Sequence, residues 1–414
     1  MRLLSFLLLY FVIHPIFAQQ NLTLEVCENA LQKNNLLLLA EQFNIEASKA
    51  AVIQAKIWEL PVASGEFNVI NPQDGRALDV GGRGQKAVAI QQLIYLGGKK
   101  KNQVEFAKSN VDIAELQFEQ LLRNLRYQLR QSYYSIYFNQ KIATAIDLQI
   151  SQVDTLLNAY DVQASKGNVP LKDVVRLQNL VIGLRNDRTE IQKNIIEEQQ
   201  ILNTLTGIDE AVVPQADETT LVTNYSTPKL TKEALLAVAA EKNPEYLTAL
   251  KIIRSQELML KWQNSLAKPD LTAGASYDQR GGAFGNQINF TFAIPLSFWN
   301  RNRGNIKIAE SQLAQAKLSK DFKTLELKNQ IDGAYRKWQT QQIYYKSFTQ
   351  TINQNLEAVY RGVLRNFQKS NISILEFTDF VESYNQSSIQ LNEAKKQLIL
   401  AGETLNYIVN TSIF

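Results

Sequence analysis

The chain has 414 residues and carries 44 lysines and arginines against 40 aspartates and glutamates, a net charge of +4 that is too small for its size to argue for nucleic-acid binding. A single cysteine, Cys27, excludes an internal disulfide. The single histidine, His14, lies in an N-terminal apolar run, so the chain beyond that run has no histidine triad, proton shuttle or imidazole metal ligand. No tight carboxylate constellation takes their place, and the sequence offers no catalytic, cofactor or metal site.

Residues 1–18 begin with Arg2, continue through the apolar SFLLLYFVI and reach IFAQQ, the order of a secretory signal peptide with cleavage after Ala18. That run is shorter than the ~20 residues a spanning helix needs, and no later run qualifies. Thr23 to Glu59 reads as a helix capped by Thr23 and stopped by Pro61, with Cys27 on it as a small buried apolar residue. In VASGEFNVI, Ala63, Gly65, Phe67 and Val69 alternate with Ser64, Glu66 and Asn68, which predicts a strand with two different faces. A glycine-rich loop comes next, and Ala87 to Tyr95 reads as the returning strand.

Lys99 to Lys166 contains neither proline nor glycine. Val104, Ala107, Val111, Ala114, Phe118, Leu121 and Leu125, resumed as Ala143, Ile146, Ile150, Val153, Leu157 and Tyr160, form a coiled-coil seam. At 1.5 Å per residue such a rod is about 100 Å long, against about a dozen residues for an ordinary globular helix. It ends at KGNVP, where Gly167 suits a left-handed cap and Pro170 the first turn of a returning helix that Gly207 closes. GIDEAVVPQADETTLVTNYSTPKL has no helical period and reads as a linker.

The plan then repeats. A helix from Thr231 to Ala267, interrupted at Pro244, is stopped by Pro269. LTAGASYD and QINFTFAIPL alternate as strands around RGGAFGN, with Ile288, Phe290, Phe292, Ile294 and Leu296 opposite Gln287, Asn289 and Thr291. Gly304 to Ser370 has no proline and reads as one uninterrupted helix, its seam running Leu327, Ile331, Ala334, Trp338, Tyr345, Phe348, Ile352, Leu356, Val359 and Val363. KSNIS breaks it, and Ile374 to Tyr407 returns. IYLGGKKKNQVEFAKSN lies over LSFWNRNRGNIKIAESQ, and KGNVPLKDV over KSNISILEF, at an offset of about 200 residues, the mark of a doubled domain rather than a short-period solenoid.

The predicted division is therefore a signal at 1–18 and a first repeat at 19–206, with strands at 62–70 and 86–96, a long helix at 99–166 and a return helix at 170–206. A linker at 207–229 leads to a second repeat at 230–414, with strands at 270–278 and 287–297, a long helix at 304–370 and a return helix at 373–408. The fold class is mainly α with a small β part. Ten-residue strands with one apolar and one polar face fit a bilayer-spanning barrel, and four cannot close one, so copies must join. A small soluble sheet packed on helices is the alternative for the strands. A periplasmic coiled-coil adaptor or structural protein without a pore is the alternative for the whole chain.

The doubled plan, the junctions LIYLGGKKKNQ and IPLSFWNRNRGNI, and the turns KGNVPLKDV and KSNISILEFTDF resemble the TolC-like outer-membrane efflux proteins, and IPLSFWNRNRGNI is similar to their CzcC-like cation-efflux branch. The resemblance covers nearly the whole chain after residue 18. It implies a homotrimer in the outer-membrane lipid, with a twelve-stranded barrel continued as an α-barrel tunnel. It also implies a periplasmic adaptor (membrane fusion protein) and an inner-membrane transporter of the RND type as partners, with no cofactor and no nucleic acid.

By the same resemblance, Glu376 and Asp379 match the acidic pair of the periplasmic constriction and Asp173 the acidic gate residue of the first repeat. Phe367 and Ile372 stand where a tyrosine and an arginine are expected. A solvated helix start, where the dipole favours carboxylates, is the alternative for the acidic pair. Gly167, Asn168, Val169 and Pro170, with Ser370, Asn371, Ile372 and Ser373, are the expected adaptor-contact tip. Lys99, Lys100, Lys101, Arg301 and Arg303 oppose the positive end of a helix dipole; with Tyr95 and Trp299 they read as a membrane-interface belt, a merely solvated collar being the alternative.

Overall fold

The described elements run in the order β1 (Gln20–Leu22), α1 (Leu24–Asn34), α2 (Leu36–Lys56), β2 (Val62–Phe67), β3 (Gln85–Ile94), α3 (Lys99–Ser165), α4 (Leu171–Thr206), β4 (Val212–Pro214), α5 (Glu218–Tyr225), α6 (Lys232–Lys242), α7 (Pro244–Leu266), β5 (Leu271–Arg280), β6 (Phe284–Ala293), α8 (Arg303–Thr351), α9 (Leu356–Gln368) and α10 (Ile374–Val409). They are taken from a computed structural model that describes residues 20–71, 75–82, 84–280, 284–296, 298–299, 301–351 and 356–414. The expected signal peptide lies outside the described residues.

The chain folds as two units that cut across the sequence repeats. One takes Ala40–Gln120 and Ala240–Lys328; the other takes Leu121–Ala239, Asn329–Phe414 and the described residues before Ala40. Both long helices, α3 and α8, contribute to each.

The unit containing Ala40 holds a four-stranded antiparallel sheet in the order β2-β3-β5-β6, so the hairpins of the two repeats meet at the β3–β5 pair. The register aligns Gly65, Val88, Tyr277 and Ile288 in one row and Ala63, Ile90, Ala275 and Phe290 in the next. Gly274 is required there, because a Cβ would stand 2.4 Å from the Ile90 carbonyl oxygen. The strands depart from the predicted spans. β2 stops at Phe67, and Val69 and Ile70 enter an irregular extension in which Leu78 N–H donates to the Val69 carbonyl at 2.9 Å. β6 ends at Ala293, so Ile294 and Leu296 fall outside it; Pro295 has no N–H to offer the ladder. α3 and α7 are stitched by Lys251–Asp112 at 2.8 Å, Lys261–Glu105 at 3.3 Å and stacked Phe106 and Trp262 at 5.8 Å.

In the other unit the second part of α3 is enclosed. Every residue of 132–139 is buried, which explains why the seam cannot be followed between Leu125 and Ala143: an encircled segment has no solvent face. The Tyr133 hydroxyl stands within hydrogen-bond distance of the carbonyls of Leu22 (2.9 Å) and Gln215 (2.8 Å), to one of which it donates, and Tyr137 donates to Ala216 (3.1 Å). Farther along, Ile142, Ile146 and Val153 of α3 form one core with Leu177, Val181 and Leu184 of α4, Tyr360 and Phe367 of α9, and Phe377 and Val381 of α10.

The structure corrects the expectations in several places. The first helix is two: Asn35 takes an extended conformation between α1 and α2, donates its amide to the Leu205 carbonyl at 3.1 Å and accepts from Leu38 N–H at 3.0 Å. The 207–229 stretch is not irregular. β4 pairs parallel with β1, and α5 is capped by Asp217, whose carboxylate accepts from Thr219 N–H at 3.2 Å; eight residues are too few for a helical period to show. The second rod is described as α8 and α9, with 352–355, and hence Ile352, outside the described residues. Leu327, Ile331, Ala334 and Trp338 are buried as the seam requires, but beyond residue 356 the buried positions are Tyr360 and Phe367, and Val359 is exposed. Pro170 occupies the N-cap of α4 rather than its first turn.

Candidate functional site

The first candidate surface is the sheet. Because successive side chains alternate, Ile288, Phe290 and Phe292 share a face with Val88, Ile90, Ala273, Ala275, Ala63 and Phe67, while Gln287, Asn289, Thr291, Ser276 and Asp278 share the other. Ile288 is 81% exposed, Phe290 80% and Phe292 76%. Each side chain of this kind favours leaving water by about 1.5–3 kcal/mol, so an apolar face without a protein layer over it calls for an apolar environment. Among the described strands, β2 and β6 are edges with one hydrogen-bonded neighbour each, and they call for further strands. No described helix is long and apolar enough to cross a membrane.

At the junctions the belt residues separate. Trp299 is 93% exposed beside Phe298, their rings 5.8 Å apart. Lys101, Arg301 and Arg303 are also exposed. Tyr95 donates its hydroxyl to Glu59 at 2.9 Å and lies 5.9 Å from Trp58, and the Lys100 ammonium stands 5.4 Å from the Tyr95 ring. Lys99 leaves the belt. It is 6% exposed and ion-paired to Asp270 at 2.7 Å, while Asp270 also accepts from Leu96 N–H at 3.1 Å, so this lysine ties the start of α3 to β5. Trp58 and Phe298, which the sequence reading did not single out, lie beside Tyr95 and Trp299.

The two rod-end turns are built alike. Gly167 has φ +77° and Ser370 φ +59°. Asn168 N–H donates to the Gln163 carbonyl at 3.0 Å and Asn371 N–H to that of Asn366 at 2.9 Å, each closing a Schellman-type cap. Val169 and Ile372 are half-buried, and Ser373 is the N-cap of α10.

Glu376 is committed to that cap. Its carboxylate accepts from Ser373 N–H at 2.7 Å and from the Ser373 hydroxyl at 2.8 Å, while the Ser373 hydroxyl oxygen accepts from Glu376 N–H at 3.3 Å. The backbone N–H first, then the hydroxyl, lower the Glu376 pKa from its ordinary value. Asp379, one turn on, is exposed. Asp173 is half-buried in the first turn of α4, and its carboxylate, after burial, helps raise the Tyr160 phenol. No hydrogen bond or ion pair among the described residues joins Asp173 to Glu376 or Asp379. Phe367, which stands where the resemblance has a tyrosine, is stacked between Tyr160 at 5.8 Å and Phe377 at 4.3 Å, and Ile372, in the place of an arginine, packs on the same cluster. Among the described residues there is no group of three or more His, Cys, Asp and Glu side chains placed to hold a metal ion.

An amphipathic antiparallel sheet with open edges, continued by helices many turns long in a doubled plan, is the protomer fold of the TolC-like outer-membrane channels. No family model matches the chain. It is 20% identical to the cobalt-zinc-cadmium resistance protein CzcC of Cupriavidus metallidurans, over 95% of this chain and 92% of that protein. Among solved structures it is similar to CusC, which is associated with transmembrane channel formation (TM-score 0.73, 14% identity, 93% of this chain and 91% of that one), and to a membrane protein from Pseudomonas aeruginosa (0.74, 16%, 93% and 92%). It is also similar to the Campylobacter jejuni CmeC outer membrane channel (0.70, 14%, 94% and 85%).

Proposed function

We propose that this chain is the outer-membrane exit duct of a tripartite efflux or secretion system, a passive channel loaded by a periplasmic adaptor and an inner-membrane pump of the RND type. Three copies contribute four strands each to a closed barrel in the outer membrane, and the long helices enclose the passage through the periplasm. The observation that carries this reading is the sheet: an uncovered apolar face, a polar reverse and two unpaired edges are satisfied together by lipid outside, water inside and sister strands on either side. The long coverage of a cation-resistance protein and of outer-membrane channels supports it.

Within the duct, Asp379 supplies a carboxylate ring that favours cations, with Glu376 contributing its charge from the α10 cap and Asp173 from α4. The turns at Gly167–Pro170 and Ser370–Ser373 dock the adaptor, and Trp299, Tyr95, Lys100, Lys101, Arg301 and Arg303 sit at the headgroups. Substrate choice resides in the pump.

The test is reconstitution. Protein extracted from outer-membrane fractions should migrate as a heat-modifiable trimer and conduct ions across planar bilayers. A water-soluble monomer that passes no current refutes the proposal.

A further inference from the structure

We propose that the cleft between α3 and the C-terminal end of α10 is a binding site for a small oxyanion, a function independent of the channel. Arg123, Arg126 and Arg130 succeed one another at helical spacing along one face of α3. They line a cavity of about 120 Å³ with Asn406, Tyr407 and Ser412, and Glu403 is the one carboxylate among the described residues of its wall. The guanidinium groups are held in place. Arg130 bridges Glu28 at 2.6 Å and Glu403 at 3.1 Å, and Arg126 stands 3.6 Å from Glu28. Arg123 lies 4.3 Å from the Tyr407 ring and donates to the Tyr407 hydroxyl at 3.3 Å.

The observation that points to a ligand is Asn406. It is 6% exposed, and its Nδ2 has no hydrogen-bond partner among the described residues. The amide orientation is fixed, because Oδ1 accepts from Ile413 N–H at 2.8 Å; reversal would set donor against donor. A buried donor left unmade costs about 1–3 kcal/mol, and native structures fill such places with water or an ion. One water needs roughly 10–15 Å³ of such space, so this cavity admits a group of several atoms. Arginine planes beside an unsatisfied amide donor suit an acceptor-only group with oxygens in more than one direction, a tetrahedral oxyanion or a carboxylate.

The test uses the detergent-solubilised full chain with sodium phosphate, sulfate or acetate titrated against chloride at constant ionic strength. Melting temperature and ³¹P line width serve as the readouts. Phosphate or sulfate should raise the melting temperature saturably and broaden the phosphate line; saturation by acetate alone would assign the same site to carboxylates. Asn406→Asp keeps the acceptor for Ile413 and places a negative charge in the cleft, so it should weaken phosphate binding at least about tenfold and melt higher than wild type when no anion is added. Arg126→Gln, at a partly exposed position, should also weaken binding and serves if the aspartate variant does not fold. Wild-type protein that responds to none of these anions beyond the chloride control, or variants that bind phosphate as wild type does, would overturn the assignment.

Discussion

Exchanging two adjacent residues of β6 separates a lipid-facing sheet from a soluble one. Phe290 pairs with Ala275 near the middle of β5 and projects from the apolar face; Asn289, its neighbour, pairs with Ser276 and projects from the polar face. In a membrane-embedded barrel, Phe290→Arg places a guanidinium in hydrocarbon. The cost is about 2–4 kcal/mol near the midplane, and losing the apolar contact of the phenylalanine adds about 1.5–3 kcal/mol. A closed trimer bears that cost in each of its three chains. At 1.4 kcal/mol per factor of ten, the first contribution alone lowers the folding equilibrium roughly 30- to 700-fold per chain. Asn289→Arg points into the water-filled lumen and should stay within about 0.5 kcal/mol of wild type. The assay is urea-dependent folding into lipid vesicles, monitored by heat-modifiable mobility and tryptophan fluorescence. If both variants assemble equally, or if Asn289→Arg is the one that fails, the assignment of the two faces is wrong.

Four further outcomes are expected. Asp379→Asn should lower cation selectivity in planar bilayers more than Glu376→Gln, whose carboxylate is held at Ser373, and the double change should lower it further because Glu376 keeps its charge in the cap; a larger effect of Glu376→Gln alone would reverse the roles. Ser370→Gly should stabilise the second turn by about 1 kcal/mol, seen as a higher melting temperature, because a non-glycine residue at φ +59° bears a left-handed penalty that Gly167 avoids in the first turn. Arg130→Ala should destabilise by about 3 kcal/mol in urea titration, because Glu403, 2% exposed, is left buried without its guanidinium; an unchanged midpoint would show that the pair contributes nothing. The lowered Glu376 pKa contributes stability above the ordinary glutamate value of about 4.3, and this is lost as pH falls through the lower folded value. The protection of amides at the start of α10, taken relative to their intrinsic exchange rates, should therefore decline below about pH 4.3 in wild type and show no such step in Glu376→Gln.

The Arg130 cluster marks a boundary in what sequence reading reaches. Burial by itself would lower the Arg130 pKa, and the charges of Glu403 and Glu28 instead hold it above its ordinary value. Burial and then the charge of Glu403 raise the Tyr225 phenol, which donates its hydroxyl to Glu403. These groups lie on α1, α3, α5 and α10, and no spacing along the chain announces that they meet.

The rods, the alternating strands and the turns between the rods and their return helices were legible in the amino-acid order, because each arises from interactions within a few residues. The absence of proline leaves the helical ladder unbroken, period-two alternation sets the two faces of β6, and Gly167 can take the left-handed cap. The Ser373-to-Glu376 spacing of a capping box was a local signal too, but the sequence reading did not take it up. Long-range packing settled which surfaces are enclosed and which charges are matched. It broke the first helix at Asn35, ordered the linker by pairing β4 with β1, surrounded 132–139 on every side and buried Lys99 against Asp270. Periodicity reports the face on which a residue stands, whereas the neighbour that covers that face arrives from a hundred or more residues away.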